Sequence, residues 1–328
     1  MRFITTEDFK DIYIKFHQRG LQFLFSKLKL DGFARTQSAF NEKEIESANY
    51  WTIPAVRKRW NYLITGNPEM LYEEYLTENY FKNRSENIKV LALGSGVCSH
   101  ELRLAELNPN WEISCFDFSS ELLDIAADFA KERGLTNISF HAENILKFQF
   151  EKQYYDVVFF HASLHHFDHI SEFFQSVIVP ILKPDGKLMI NEFVGKNRLQ
   201  YSNNQIVAIN KAIDLIPKKY RRIYKTNIFK NKYTSSGIWR MIIADPSECV
   251  DSEGIMPAIR QYFDVVIERS FGNNLLQSVF KDIAQHFQDE NLSAEKLKIV
   301  NDVFALEDEF LKDNPSDSVF GIYQLKQN

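Results

Sequence analysis

With 12 glycines, 9 prolines and 3 cysteines in 328 residues, the chain has few of the residues that punctuate or staple a fold. Cys98, Cys115 and Cys249 cannot all pair with one another, and none stands in a Cys-x-x-Cys spacing. A disulfide framework and a cysteine zinc site are thereby set aside, and a reducing cytoplasm is the expected setting. No run approaches the ~20 apolar residues of a membrane span. The first thirty residues carry acids and bases every few positions where a secretory leader needs an unbroken apolar centre. Positive charge is also short: 39 Lys and Arg stand against 44 Asp and Glu, a net charge of −5. The chain therefore has no global field to gather nucleic acid or an anionic membrane, and neither is expected as a partner. Repeats and low-complexity tracts are absent.

What is there is an ordinary hydrophobic share of 45%, with 28 Phe, enough to bury a sizeable core. Residues 1–85 read as a helical cap. Thr5 and Thr6 are placed to start a helix, Phe9, Ile12, Tyr13 and Phe16 recur at helical spacing, and Gly20 interrupts it. Trp51, Trp60, Tyr72, Tyr75 and Tyr80 follow with no strand alternation, and packing against the main domain is the first expectation for them. This aromatic preface leaves homo-oligomerisation open.

From Lys89 the pattern turns to strand, helix, strand, helix. IKVLALG is a near-continuous apolar run, as a strand covered on both faces requires, HELRLAELNP follows as a helix and WEISCFDF as the next strand. SSELLDIAADFAKERG is a helix capped by Ser119 and stopped by Gly134. ISFHAEN, YDVVFF and GKLMINEF are further strands, with HISEFFQSVIVPIL a helix between the last two. Such alternation implies an α/β fold with a doubly wound, mostly parallel sheet, and ligands bind such sheets beyond the carboxyl ends of the strands. We assign 86–195 to this core, 196–250 to a helical lid insert, and 251–328 to the end of the core with a helical insert at 272–313. In that last insert Leu275, Leu276, Val279, Phe280, Ile283 and Phe287 mark one apolar helical face.

The turn in VLALGSGVCSHE narrows the ligand. A dinucleotide fingerprint asks for a third glycine three residues after Gly96, and Ser99 stands there; a phosphate-gripping loop needs Gly-Lys-Ser/Thr, and none follows Gly94. Asp117, at the tip of the second strand, can accept both hydroxyl protons of a ribose, which points to a nucleoside, although a loop aspartate in that position also caps helices.

VLALGSG, CFDFSSELLDIA, HAEN, YDVVFFHASLHHF and LKPDGKLMI, taken in order, resemble the motifs of class I S-adenosylmethionine-dependent methyltransferases over residues 86–195. IPAVRKRWNYLITGN, NEFVGKNRLQ and IADPSECVDSEGIMP look like a small-molecule subgroup of that family with a helical cap. The resemblance implies a Rossmann-like, seven-stranded sheet with an antiparallel last strand, and S-adenosyl-L-methionine as cofactor, spent as S-adenosyl-L-homocysteine. It implies that Gly94, Ser95 and Gly96 let backbone approach the methionine part, that Asp117 holds the ribose with Phe118 beside the adenine, and that Asn144 and Ile145 contact the adenine. His161 and Ala162 then line the floor. Ala92, Cys98 and Asn144 depart from the family's usual acid, glycine and Asp, and Glu101 is offered as the carboxylate that replaces the first.

A methyl sulfonium is already a strong electrophile, so positioning supplies most of the catalysis, and a base is needed only for an acceptor that arrives protonated. His165, His166 and Glu192 are the candidates for acid–base or orienting work, each with a structural role as its alternative, and no metal is expected. The basic run between Lys211 and Lys232, including Arg221 and Arg222, is first a solvated face and second a lid for an anionic or carrier-bound acceptor. The function expected is methylation of a small molecule at oxygen in the cytoplasm. The rivals are a cofactor-binding protein that transfers nothing and an NAD(P)-dependent oxidoreductase.

Overall fold

The structure is a computed structural model and describes residues 1–19, 49–81 and 87–327. The break expected at Gly20 and the side chain of Phe16 lie outside the described residues. The chain gathers into two compact units, each discontinuous in sequence: 1–69, 195–248 and 270–318 form one, and 70–194, 249–269 and 319–328 the other.

The second unit holds the sheet. Its strands are β1 (Ile88–Leu93), β2 (Trp111–Asp117), β3 (Ile138–Ala142), β4 (Tyr155–His161), β5 (Leu182–Phe193), β6 (Phe263–Gly272) and β7 (Ser318–Leu325), in spatial order β3-β2-β1-β4-β5-β7-β6. β6 and β7 run a few residues past the unit's limits. The pairs β1–β2, β1–β4, β2–β3 and β4–β5 are parallel, with Val90 beside both Ile113 and Val157. Strand order reverses at β1, so the crevice between the carboxyl ends of β1 and β4 is the switch point at which such sheets take ligands.

The apolar runs behave as their composition dictates. Val90, Leu91, Ala92, Val157, Val158 and Phe160 are inaccessible to solvent, as strands covered on both faces must be. One face packs Leu91, Leu93, Val158, Phe160, Leu188 and Ile190 against Ile170, Phe173, Phe174 and Ile178 of a helical run over 170–181 and against Ile255 and Ile259 of the helix Ser252–Tyr262. The caps fall where expected: Ser119 Oγ accepts from Leu122 N (3.4 Å) at the start of the helix Ser120–Glu132, and Gly134 takes φ +67° just past its end.

The sequence reading put the end of the helical cap at 85, whereas the helix Tyr72–Leu76 belongs with the sheet. Tyr72, Leu76 and Phe81 are buried; Phe81 meets Trp111 edge-on and Tyr72 lies against Phe320. Large aromatic surfaces removed from water on the sheet unit outweigh chain proximity to the preface.

In the other unit the helix Thr6–Arg19 starts where Thr5 and Thr6 predict, with Thr5 N donating to Asp8 Oδ2 (2.7 Å). Its expected apolar face, however, is turned to solvent: Phe9, Ile12 and Tyr13 are exposed, while Glu7, Asp8, Asp11 and Ile14 are buried. The acids face cations, with Arg240 3.1 Å from both Asp8 and Asp11 and Lys281 3.8 Å from Asp11. The apolar set Leu275, Leu276, Val279, Phe280, Ile283 and Phe287 is wholly buried as predicted, but helix spans only Leu276–Phe280, because the chain turns at Asp282 (φ +67°).

Candidate active site

The glycine turn follows β1 directly. Gly94 and Gly96 take φ +72° and +52°, and a Cβ on Gly94 would lie 2.8 Å from the Cβ of Ser163, so that position admits only hydrogen. Cys98, standing where a third glycine is frequent, keeps the left-handed backbone (φ +53°) with a buried side chain and caps the helix Ser99–Leu107. The departure in residue type leaves the shape of the turn intact.

Asp117 joins this turn to the next strand. Its Oδ2 accepts from Gly96 N (2.9 Å) and its Oδ1 from Ser119 N (2.8 Å), at 4% exposure. Burial raises its carboxyl above the ordinary range, opposed by the N–H groups of Ser119, Gly96 and Phe118. Three backbone N–H groups on two oxygens leave acceptor capacity for a further donor such as a ribose hydroxyl. The sequence reading weighed a helix-capping aspartate against a ribose ligand; here Ser119 does the capping and Asp117 braces the glycine turn. Phe118 is half-buried next to it.

At the carboxyl end of β3, Asn144 accepts Leu146 N on its side-chain oxygen (3.1 Å) and Ile145 is buried. The Asn144 amide oxygen keeps one further lone pair, and its NH2 group is also available to a base edge. At the end of β4 the chain bends through Ala162 (φ +48°), whose N–H donates to Asn191 O (2.9 Å), and Ser163 Oγ donates to Leu93 O (2.7 Å). All these positions therefore meet along one edge of the sheet.

Glu192 has an interior task. Its carboxylate accepts from Ser163 N (2.5 Å), Leu164 N (2.6 Å) and His165 Nδ1 (2.8 Å), at 1% exposure. The alternative of a strand-end carboxylate facing water does not hold. Glu192 and His165, two of the three residues expected to act on the acceptor, instead fix the loop after β4. His166 is half-buried, with its ring tilted on that of His165 at 4.3 Å.

The structure adds a cluster that the sequence reading did not assemble. The rings of His100 and His161 stack at 3.5 Å, and Tyr72 lies over both at 5.4 and 5.7 Å with its OH 2.9 Å from His161 Nδ1. Glu73 holds His100 Nδ1 on Oε1 (2.5 Å) and is 3% exposed. Burial opposes the His100 imidazolium, but the hydrogen bond and charge of Glu73 and the charge of Glu101 outweigh it and raise the group. Burial, with His100 and His165 adding to it, drives His161 well below the ordinary imidazole range, so it is neutral. Glu101 is pushed by burial up to about 7. Two titratable residues opening a helix directly after a glycine turn, His100-Glu101, were the available signal; Tyr72 and Glu73 could not be placed beside them without the tertiary fold.

The basic run belongs to the other unit and is engaged locally. Arg222 Nε donates to Thr226 O (2.9 Å), Arg221 donates to Ile216 O and lies 3.6 Å from Asp214, Lys219 pairs with Glu295 (2.8 Å), and Lys230 Nζ donates to Lys281 O (2.6 Å). These cations hold turns and helices within their own unit.

Residues 84–244 match the model of a methyltransferase domain family. Among curated proteins, the release factor glutamine methyltransferase of Streptococcus pneumoniae is 39% identical over 67 residues, 20% of this chain, and the match spans 23% of that protein's length. Among solved structures, the [4+2]-cyclase SpnF superposes with a TM-score of 0.47 at 15% identity, over 78% of this chain and 80% of that one. Phosphoethanolamine N-methyltransferase 2 of Haemonchus contortus, solved with S-adenosyl-L-methionine, gives 0.48 at 13% identity, over 87% of this chain and 61% of that one.

Proposed function

From the match of residues 84–244 to a methyltransferase domain family, we propose that the chain is a class I, S-adenosylmethionine-dependent methyltransferase that methylates a small molecule at oxygen. The observation that carries the cofactor side is Asp117, a buried carboxylate that holds Gly96 N–H on one oxygen and still has acceptor capacity for a ribose hydroxyl. It couples the two parts of the sheet edge that a nucleoside must touch together. The cofactor, when bound, supplies a methyl group on a sulfonium, open to in-line displacement. The glycine turn lets backbone come close, and Ala162 and Ser163, braced by Glu192, shape the floor opposite it.

Oxygen is favoured over nitrogen as the acceptor atom by His161. Its Nδ1 is occupied by Tyr72 OH, no hydrogen bond from the described residues reaches Nε2, and burial keeps the ring neutral. A neutral imidazole can take up the proton that a hydroxyl acceptor must lose as it reacts, although the same burial makes this ring a weak base. Glu192 and His165 serve as positioning groups behind that floor. An anionic acceptor draws no support from Arg221 and Arg222, whose guanidinium groups are bound to their own unit.

Calorimetric titration with S-adenosyl-L-homocysteine tests the reading. The unaltered chain binds it and gives no heat with NADH or NADPH. Asp117→Ala weakens binding by about 1.5–3 kcal/mol through loss of charge-assisted hydrogen bonds. Equal affinity in the variant removes Asp117 from the site, and no heat from the unaltered chain ends the proposal.

A further inference from the structure

Resting on the oxygen reading above, we propose that His100, oriented by Glu73, is the base that takes the acceptor's proton, and that His161, stacked beside it, orients the hydroxyl. Adjacent residues of one helix hold the pair. In the helix Tyr72–Leu76, Tyr72 puts its OH 2.9 Å from His161 Nδ1 and Glu73 puts Oε1 2.5 Å from His100 Nδ1. The two imidazoles meet face to face, with centroids 3.5 Å apart and planes 26° from parallel. His161 closes β4 at the carboxyl edge of the sheet, so the stack brings His100 to the edge where such sheets take their ligands.

The two rings differ in what stands behind them. Glu73 is buried, whereas the His100 side chain is 36% exposed. With Nδ1 turned to the buried carboxyl, Nε2 lies on the opposite edge of the ring, and no hydrogen bond from the described residues reaches it. A carboxyl group on Nδ1 fixes the tautomer that leaves Nε2 unprotonated, and it steadies the imidazolium that forms when Nε2 takes a proton. His161 has a phenol in that place, and burial holds Tyr72 neutral well beyond the ordinary phenol range. Burial also keeps His161 itself unprotonated; it opposes the His100 imidazolium too, but there the hydrogen bond and charge of Glu73 overcome it. The ring that can keep a proton is therefore His100.

The titratable groups facing His100 are Tyr72 and Glu73 from the helix Tyr72–Leu76, His161 from β4 and Glu101 beside it on its own helix. Tyr72 and His161 stay neutral as Nε2 takes a proton, and Glu73 and Glu101 both favour the charged ring. As the acceptor O–H breaks, its proton bonds to His100 Nε2, the oxygen pair so released makes the O–C bond, and the C–S pair stays on sulfur. The imidazolium then loses the proton to solvent at its exposed edge, and no further reactant is consumed.

The test reads the ring first and the reaction second, on the full chain. With isotope-labelled histidine and S-adenosyl-L-homocysteine bound, nitrogen NMR of the unaltered chain and of His100→Gln identifies the His100 ring by the signal that is lost. That signal should report an unprotonated Nε2 in the neutral ring and a midpoint above the ordinary imidazole value, and Glu73→Gln should lower the midpoint by about one pH unit. A neutral ring with its proton on Nε2, or a midpoint indifferent to Glu73→Gln, overturns the assignment. For the reaction, S-adenosyl-L-methionine is supplied with phenol, which must lose its proton, or with para-nitrophenol, which ionises readily by itself. His100→Gln is expected to lower phenol turnover by about a hundredfold and to cut the ratio of phenol to para-nitrophenol turnover by about tenfold or more. Phenol turnover by the unaltered chain should fall as pH drops through the midpoint read by NMR. Binding of S-adenosyl-L-homocysteine shows that each variant is folded. An equal loss on both phenols makes His100 structural and overturns the proposal, while the oxygen reading stands. If the unaltered chain binds S-adenosyl-L-homocysteine but methylates neither phenol, the oxygen reading falls and takes this base with it.

Discussion

Glu192 shows how a residue with the right chemistry for catalysis is committed elsewhere by its surroundings. Three donors converge on one buried carboxylate, two of them backbone N–H groups in the turn after β4. Gln in its place keeps one oxygen for the two backbone N–H groups, but its NH2 meets His165 Nδ1 as a donor, so the buried imidazole must give up its Nδ1 proton to stay paired. We expect Glu192→Gln to lower stability by about 2–3 kcal/mol, read as a fall in the urea midpoint at constant slope. An unchanged midpoint returns Glu192 to the acceptor side of the site. Cys98 makes the complementary point: the turn demands a left-handed residue there, and the chain supplies one without glycine, at a conformational cost that burial of the thiol offsets. A motif match by residue type sees a departure; the backbone shows none.

Among elements, the helix Thr6–Arg19 is held by charge where periodicity suggested grease. Arg240 pairs with Asp8 and Asp11 and Lys281 approaches Asp11, while Phe9, Ile12 and Tyr13 look outward. Burial acts to raise the Asp11 carboxyl, but Lys281 and Arg240 more than reverse it, and the group ends below its ordinary 3.8. Its contribution is therefore complete above about pH 4 and is lost as pH falls through the still lower folded value. Asp11→Asn is expected to speed amide hydrogen exchange across 6–19 at pH 7, and the difference from the unaltered chain should shrink to nothing as both are taken below about pH 3. A difference that persists undiminished in acid assigns the effect to packing. The stretch 275–287 is the reverse case: burial was legible from apolar spacing, but the turn at Asp282 was not, because a left-handed aspartate leaves no mark on a hydrophobic pattern.

On the scale of the whole molecule, two units interleave along the chain, and the one with the sheet carries every residue assigned to the cofactor. No helix among the described residues is long and apolar enough to cross a membrane. A ligand that binds only the folded sheet unit stabilises it by mass action. S-adenosyl-L-homocysteine at a hundred times its dissociation constant should raise the free energy of unfolding by about 2.7 kcal/mol. The added exchange protection should fall within 70–194, 249–269 and 319–328. Protection spread evenly over both units would contradict a site built from the sheet edge alone.

The sequence by itself determined the strand and helix alternation, the glycine turn, the acidic tip at Asp117 and the caps at Ser119 and Gly134, because each depends on residues within a few positions of one another. Apolar runs buried on both faces and a Gly-x-Gly bend are local statements of backbone and solvent preference, and the structure repeats them. Only the tertiary structure decided that β7 enters between β5 and β6, that the Thr6–Arg19 helix turns its acids inward, and that Tyr72 and Glu73 meet His100 and His161. Those outcomes depend on which distant groups supply a countercharge or a ring to stack on, and the energy of a buried charge is set by that company rather than by its neighbours in the chain.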